Sequence, residues 1–259
     1  MAIQIQQILL LSSGEHLSEQ SLKIGSALTK EFAAKLSFCH FGAGNLSANF
    51  VGAGIDFQFE QHNDPFSANA AMRLIKKYNP DLVVLQLNEN AKNGIDVKSV
   101  FSIIDHFERM VLTIPEKGNF NLSSIVVPID TSFETRQKIP YALSMAGLFN
   151  ATIHVVGVSN DTDKDAEVTI KNYTRQVCNH IQEKGKSSTL EMRLGGNPSK
   201  QTLQYASEKE AGMIVIMSEQ EGRFMDFFTG KYSEQIIKNS NMPILTVHSK
   251  DLVVSEARL

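Results

Sequence analysis

The chain has 259 residues, enough for one large domain or two of ordinary size. Its apolar fraction is 42% and its charged fraction 20%, the balance of a soluble globular protein, and a formal net charge of −3 argues against a broadly basic nucleic-acid surface. Two cysteines, Cys39 and Cys178, supply neither a disulfide framework nor a metal-type pair and read as reduced structural thiols.

In chain order, QQILLLSSGEHLSEQSLKIGSALTKEFAAKLSFCHFG (6–42) reads as strand, loop, amphipathic helix and strand. The start lacks a basic leader, and no apolar run approaches the roughly 18 residues of a membrane helix, so the cytoplasm is the expected compartment. The next segment, GAGNLSANFVGAGID (42–56), is small and glycine-rich and reads as a shortened crossover loop. It is a poor dinucleotide fingerprint: Ser47 stands at the third glycine position and no acidic residue is well placed after it. FEQHNDPFSANAAMRLIKKYNPDLVVLQL (59–87) then gives strand, helix and buried strand, with Asp64-Pro65 as an N-cap and first helical residue. MVLTIP (110–115) closes this half, and PEKGNFNLSS (115–124) has the composition of a linker.

The order then repeats. SSIVVPIDTSFETRQKIPYALSMAGLFNATIHVVGV (123–158) matches the opening block, with Lys138-Ile139 and Ala142-Leu143 spaced like Lys23-Ile24 and Ala27-Leu28. A helix is predicted over about 161–185 with Ile170, Tyr173, Val177 and Ile181 on one face. The run of Asp161, Asp163 and Asp165 at its start lacks the glycine and terminal glutamate of a calcium loop and reads as a solvated helix start. EMRLGGNPSKQTLQYASEKEAGMIVIMS (191–218) repeats the second block, with Asn197-Pro198 at the helix start, and MPILTV (242–247) repeats the closing strand. This places domains at 1–118 and 122–250, with a tail at 251–259. Continuous apolar strands alternating with amphipathic helices predict mostly parallel α/β sheets, whose ligands bind beyond the C-terminal strand ends. His40 and His154 lie in strand patterns and read as satisfied core groups. Neither a metal-ligating set nor a catalytic constellation is evident.

The pieces IVVPIDTSFETRQKIPYALSMAGLFNATIHVVGV, GGNPSKQTLQYASEKEAGMIVIM and FFTGKYSEQIIKNSNMPILTV make the second half resemble a universal stress protein domain across nearly its whole length. The first half is similar more weakly, as its repeat partner, so the whole resembles a tandem protein of that family. The resemblance implies two Rossmann-like domains, each a five-stranded, mostly parallel sheet of order 3-2-1-4-5. It implies their packing as an intramolecular pseudo-dimer through 110–114 and 243–247; the crossover loop at 42–56 leaves the first domain without the second helix. Some members of the family bind ATP and others do not.

By that resemblance the nucleotide-site candidates are Pro128, Asp130, Thr131, Val156, Ser218, Gly230, Lys231 and Tyr232. Asp130 stands where ATP-binding relatives place an aspartate, and it serves equally as a cap for the turn that follows. Ser12-Ser13-Gly14 stand there in the first half, which is unsuited to that mode. In MSEQEGRFMDFFTGKYSEQII (217–237), Ser218 and Glu221 occupy the early glycine positions of the family's phosphate loop, Gly230 survives, and Lys231 replaces the hydroxyl residue. Glu219 and Glu221 add negative charge where a triphosphate would lie. Lys231 serves as a point charge for a phosphate or pairs with Glu234. Phe224, Met225, Phe227 and Phe228 read as packing residues. The expectation is a non-enzymatic stress-response module that senses a small ligand or binds a protein partner, without ordinary ATP binding. The alternative is an ATP-binding protein, or a slow nucleotide-hydrolysing or adenylate-forming enzyme, that uses the second domain with ATP or another adenine nucleotide. A homodimer of the whole chain is a further partner expectation; nucleic acid and membrane are not.

Overall fold

The computed structural model describes residues 3–14, 17–43, 54–88, 94–118, 121–132, 134–218 and 232–248. The chain divides into one unit spanning Gln4–Asn119 and another comprising Phe120–Leu259 with Met1–Ile3.

The first unit runs β1 (Gln7–Ser13), α1 (Glu19–Phe32), β2 (Lys35–Phe41), β3 (Phe57–His62), α2 (Ala68–Tyr78), β4 (Leu82–Gln86), α3 (Val97–His106) and β5 (Met110–Ile114). All pairings are parallel, in the order β3-β2-β1-β4-β5. Ile8, Leu9, Leu10 and Leu11 of β1 are wholly inaccessible. A strand buried on both faces has no reason to alternate, which is why ILLL is a continuous apolar run.

The second unit runs β6 (Ser124–Ile129), a 3₁₀ turn (Glu134–Arg136), α4 (Ile139–Phe149), β7 (Thr152–Ser159), α5 (Lys164–Glu183), β8 (Ser188–Leu194), α6 (Pro198–Glu208), β9 (Met213–Met217), α7 (Tyr232–Asn239) and β10 (Ile244–Val247). Its sheet is again parallel, ordered β8-β7-β6-β9-β10. Both units thus carry the 3-2-1-4-5 arrangement, in which the chain steps outward from the first strand, then returns to its other side. Among the described residues, no helix is long and apolar enough to cross a membrane.

Two local readings change and one holds. The start of α2 is capped by Ser67, whose side chain accepts the Ala70 N–H, so Asp64-Pro65 precedes the helix and does not begin it. Asn197 does cap α6 as expected, accepting the Lys200 N–H with Pro198 as the first helical residue. The buried face of α5 is Ile170, Thr174, Val177, Cys178 and Ile181. Tyr173 stands beside that face, with the Arg136 guanidinium 4.2 Å above its ring.

At the start of α5, Asp163 caps through the Asp165 N–H and Asp161 accepts the Asp163 N–H. The acidic run thus closes a helix start. Gly157 on β7 lets α5 approach: a Cβ there would lie 2.6 Å from both Ile170 Cγ2 and Met192 Sδ. Of the glycine-rich crossover in the first unit, residues 44–53 lie outside the described residues, and with them the question of a second helix there.

Candidate ligand site at the strand ends of the second unit

The chain reverses its direction of travel across this sheet between β6 and β9, so the C-terminal ends of these strands are where a ligand is expected. The ladder between them is short. β6 pairs with β9 only at Ile125–Met213 and Val126–Ile214. In the first unit the equivalent strands, β1 and β4, pair over four positions from Ile8–Leu82 to Leu11–Leu85. Laying the Ile125–Met213 pair on the Ile8–Leu82 pair sets Pro128 at the place of Leu11. Proline has no N–H to donate to a ladder, and the β6–β9 pairing ends before it. On its other side β6 still pairs with β7, with Pro128 beside Val156. Pro128 and Val156 are therefore buried strand residues, with their side-chain positions fixed by the sheet.

Asp130 follows the last residue of β6. Its Oδ1 accepts the Ser132 N–H at 2.7 Å, and its own N–H donates to Thr135 Oγ1 at 3.1 Å. The carboxylate therefore closes the turn that leads to α4, the capping role among its two expected ones. Thr131 within that turn is half-buried.

Lys138, absent from the sequence-based candidates, lies beneath this turn. It is 3% exposed, and its Nζ donates to Thr135 Oγ1 at 3.1 Å. Burial pushes its ammonium down to about 8, opposed in part by the negative charge of Asp130. Its repeat partner, Lys23, is exposed. The only sequence signal for Lys138 was its place immediately before the apolar helix IPYAL; Lys23, its match in the sequence repeat, lies inside α1 instead.

Ser218 follows β9 and is buried; its N–H donates to the Val247 carbonyl at 2.8 Å, extending the β9–β10 ladder by one residue. Tyr232 opens α7, and its hydroxyl lies 2.9 Å from Thr202 Oγ1 on α6. These bonds fix the end of β9 and the start of α7. Residues 219–231, including Glu219, Glu221, Gly230 and Lys231, lie outside the described residues.

The corresponding end of the first unit is built differently. Ser12 Oγ lies 2.9 Å from His40 Nδ1, both residues fully buried. Ser13 Oγ accepts the Ile95 N–H at 2.9 Å. Burial lowers the His40 pKa, opposed in part by the Gly14 backbone, and by strict hydrogen-bond geometry its Nε2 is unpaired, so the reading of His40 as a satisfied core group rests on Nδ1. His154 is no core group: it is partly exposed on β7, with Nδ1 2.7 Å from Thr189 Oγ1.

Residues 122–248 match the Universal stress protein family. A universal stress protein of Methanocaldococcus jannaschii is 26% identical over 165 residues, covering 58% of this chain and 96% of the relative. Two solved structures align over almost the whole chain. A functionally unknown protein from Pseudomonas aeruginosa PAO1 gives a TM-score of 0.70 at 16% identity, over 97% of this chain and 95% of that one. A universal stress protein from Archaeoglobus fulgidus DSM 4304 gives 0.65 at 16% identity, over 93% and 96%. At such identities the structural likeness speaks to the fold alone.

Proposed function

We propose that this chain, a member of the universal stress protein family through residues 122–248, is a non-enzymatic stress-response module of the cytoplasm. It senses a small ligand or binds a protein partner, and it does not bind ATP in the ordinary way. The observation that carries this reading is the state of Asp130, whose Oδ1 already takes the Ser132 N–H. That bond commits one carboxylate oxygen to the turn and leaves Oδ2 as the side of Asp130 that could face a nucleotide. Glu219 and Glu221 oppose a triphosphate further, since like charges repel strongly near a partly desolvated site.

What this reading retains is a crevice beside Pro128, with Gly230 and Lys231 as its anion contact: the glycine for close backbone approach, the lysine as a point charge. Pro128, Thr131, Val156, Ser218 and Tyr232 frame it. Catalysis needs charged groups positioned where charge develops; Lys138, the cation beside Asp130, is sealed from solvent.

Calorimetric titration of the full-length protein with ATP and with AMP, each with and without magnesium, tests the proposal. The expected result is no saturable heat with ATP and no phosphate release. Saturable ATP binding that disappears in Asp130→Ala overturns it in favour of an ATP-binding protein. Phosphate release lost in the same variant overturns it in favour of a slow nucleotide-hydrolysing or adenylate-forming enzyme.

The reading takes 1–118 and 122–250 as the two domains, with 251–259 as a tail, paired through 110–114 and 243–247 within one molecule. Two observations support the pairing. β5 and β10 are each the last strand on one side of their own unit's sheet, and every residue of both is buried.

A further inference from the structure

A second cluster of chemistry-bearing side chains lies in the first unit, away from the strand ends. Cys39 on β2 and Glu60 on β3 are register partners. His62 is two residues beyond Glu60 and so faces the same side of the sheet. One ligand-type atom from each residue, Cys39 Sγ, a Glu60 oxygen and a His62 nitrogen, lies within 4.8 Å of the other two.

The contacts around these atoms divide into inner and outer ones. Glu60 Oε1 accepts from Lys77 Nζ and from the Tyr78 hydroxyl, both at the end of α2. Glu60 Oε2 instead faces His62 Nε2 at 3.6 Å, beyond hydrogen-bond distance. That Nε2 is buried and has no hydrogen-bond partner. The imidazole is held by the Phe41 ring, stacked at 4.8 Å between centroids. Cys39 is fully buried, and the Tyr78 side chain also hydrogen-bonds its sulfur. An ordinary surface ion pair between Lys77 and Glu60 would need neither a thiol nor an unpartnered imidazole nitrogen beside it.

We propose that Cys39, Glu60 and His62 form a binding site for zinc or a similar borderline-soft divalent cation, with a fourth position open. Thiolate, imidazole and carboxylate are the donor types zinc takes, and three protein ligands with one open position is an established coordination for it. Metal–ligand bonds of about 2.0–2.3 Å in a tetrahedron place donor atoms about 3.5 Å apart. The Glu60–His62 separation already meets this, and the widest separation in the cluster closes by about 1 Å. On binding, the thiol proton of Cys39 leaves to solvent as the sulfur–metal bond forms. Lys77 and Tyr78 act as outer partners that fix the carboxylate through its other oxygen. Lys77 is more than half exposed, so solvent screens its repulsion of the cation.

The test is a titration of the full-length protein with cobalt(II), followed by displacement with zinc. The expected result is one equivalent bound, with a sulfur-to-cobalt charge-transfer band and the intense visible bands of a tetrahedral site, bleached by zinc. Cys39→Ser removes the charge-transfer band. His62→Phe keeps a ring against Phe41 while removing the nitrogen, and weakens binding at least ten-fold. Cys178→Ser leaves the signal unchanged. The proposal is overturned if no charge-transfer band forms, if the band survives Cys39→Ser, or if Cys178→Ser abolishes it. Should Cys39→Ser fail to fold, His62→Phe decides, and undiminished affinity in that variant overturns the site.

Discussion

Lys138 keeps its ammonium inside the protein at a cost that pH controls. Its folded-state pKa is about 8, against an ordinary 10.5. Between those values the unfolded chain holds a proton that the folded chain has released, so stability rises with pH across that window. Below about 8 both states are charged and the burial cost is present in full, on the order of 3 kcal/mol at about 1.36 kcal/mol per unit. Replacing the lysine with an apolar chain of similar length removes that cost and gives up the bond to Thr135 Oγ1, about 1 kcal/mol. Asp130 is not stranded, because it keeps the Ser132 N–H. Lys138→Met is therefore expected to raise the unfolding free energy at pH 7 by about 1–3 kcal/mol. The advantage should shrink toward pH 10 as the wild type loses its buried charge. Urea unfolding of both proteins at the two pH values checks this; a variant less stable at pH 7 would mean that the pair with Asp130 is net stabilising. None of this was legible in the sequence. Lys138 and Lys23 occupy the same position in the repeat, and burial of one but not the other depends on packing that a repeat does not carry.

At the scale of elements, alternation of apolar strands and amphipathic helices predicted both sheets, because strands covered on two faces leave a signal that needs no tertiary information. Boundaries were legible only where one residue decided them. Asn197-Pro198 opens α6 as read. Asp64-Pro65 offers the same chemistry but loses to Ser67, which follows the buried Phe66 and reaches the Ala70 N–H. Asn197→Ala and Ser67→Ala should thus each cost about 1 kcal/mol, and Asp64→Ala close to nothing. Thermal unfolding of the three variants measures the contrast, and a loss in Asp64→Ala equal to that in Ser67→Ala would contradict the assignment. The short β6–β9 ladder has the same character as these boundaries. Pro128 was visible as a residue, but its effect required knowing which strand lies beside it. The cluster of Cys39, Glu60 and His62 was hidden more deeply, since it exists only in the register of β2 against β3.

At the scale of the whole molecule, the proposed pairing of 110–114 with 243–247 has a consequence for single amides. In a parallel sheet alternate N–H groups of a strand point to opposite neighbours. β5 has β4 on one side, and β10 has β9 on one side. Without a second neighbour, every other amide in each strand faces outward and exchanges as an exposed edge does. Pairing the two strands gives those outward amides acceptors and removes two edges open to aggregation. The expected outcome is slow hydrogen exchange at consecutive amides along both 111–114 and 244–247, resolved residue by residue, in a particle with the mass of one chain. Fast exchange at alternate positions in both strands would show free edges and sink the pairing. Slow exchange in a particle of twice the mass would instead assign the edges to contacts between two copies. The test is independent of any ligand, because backbone pairing at these edges requires neither Asp130 nor Gly230 and Lys231.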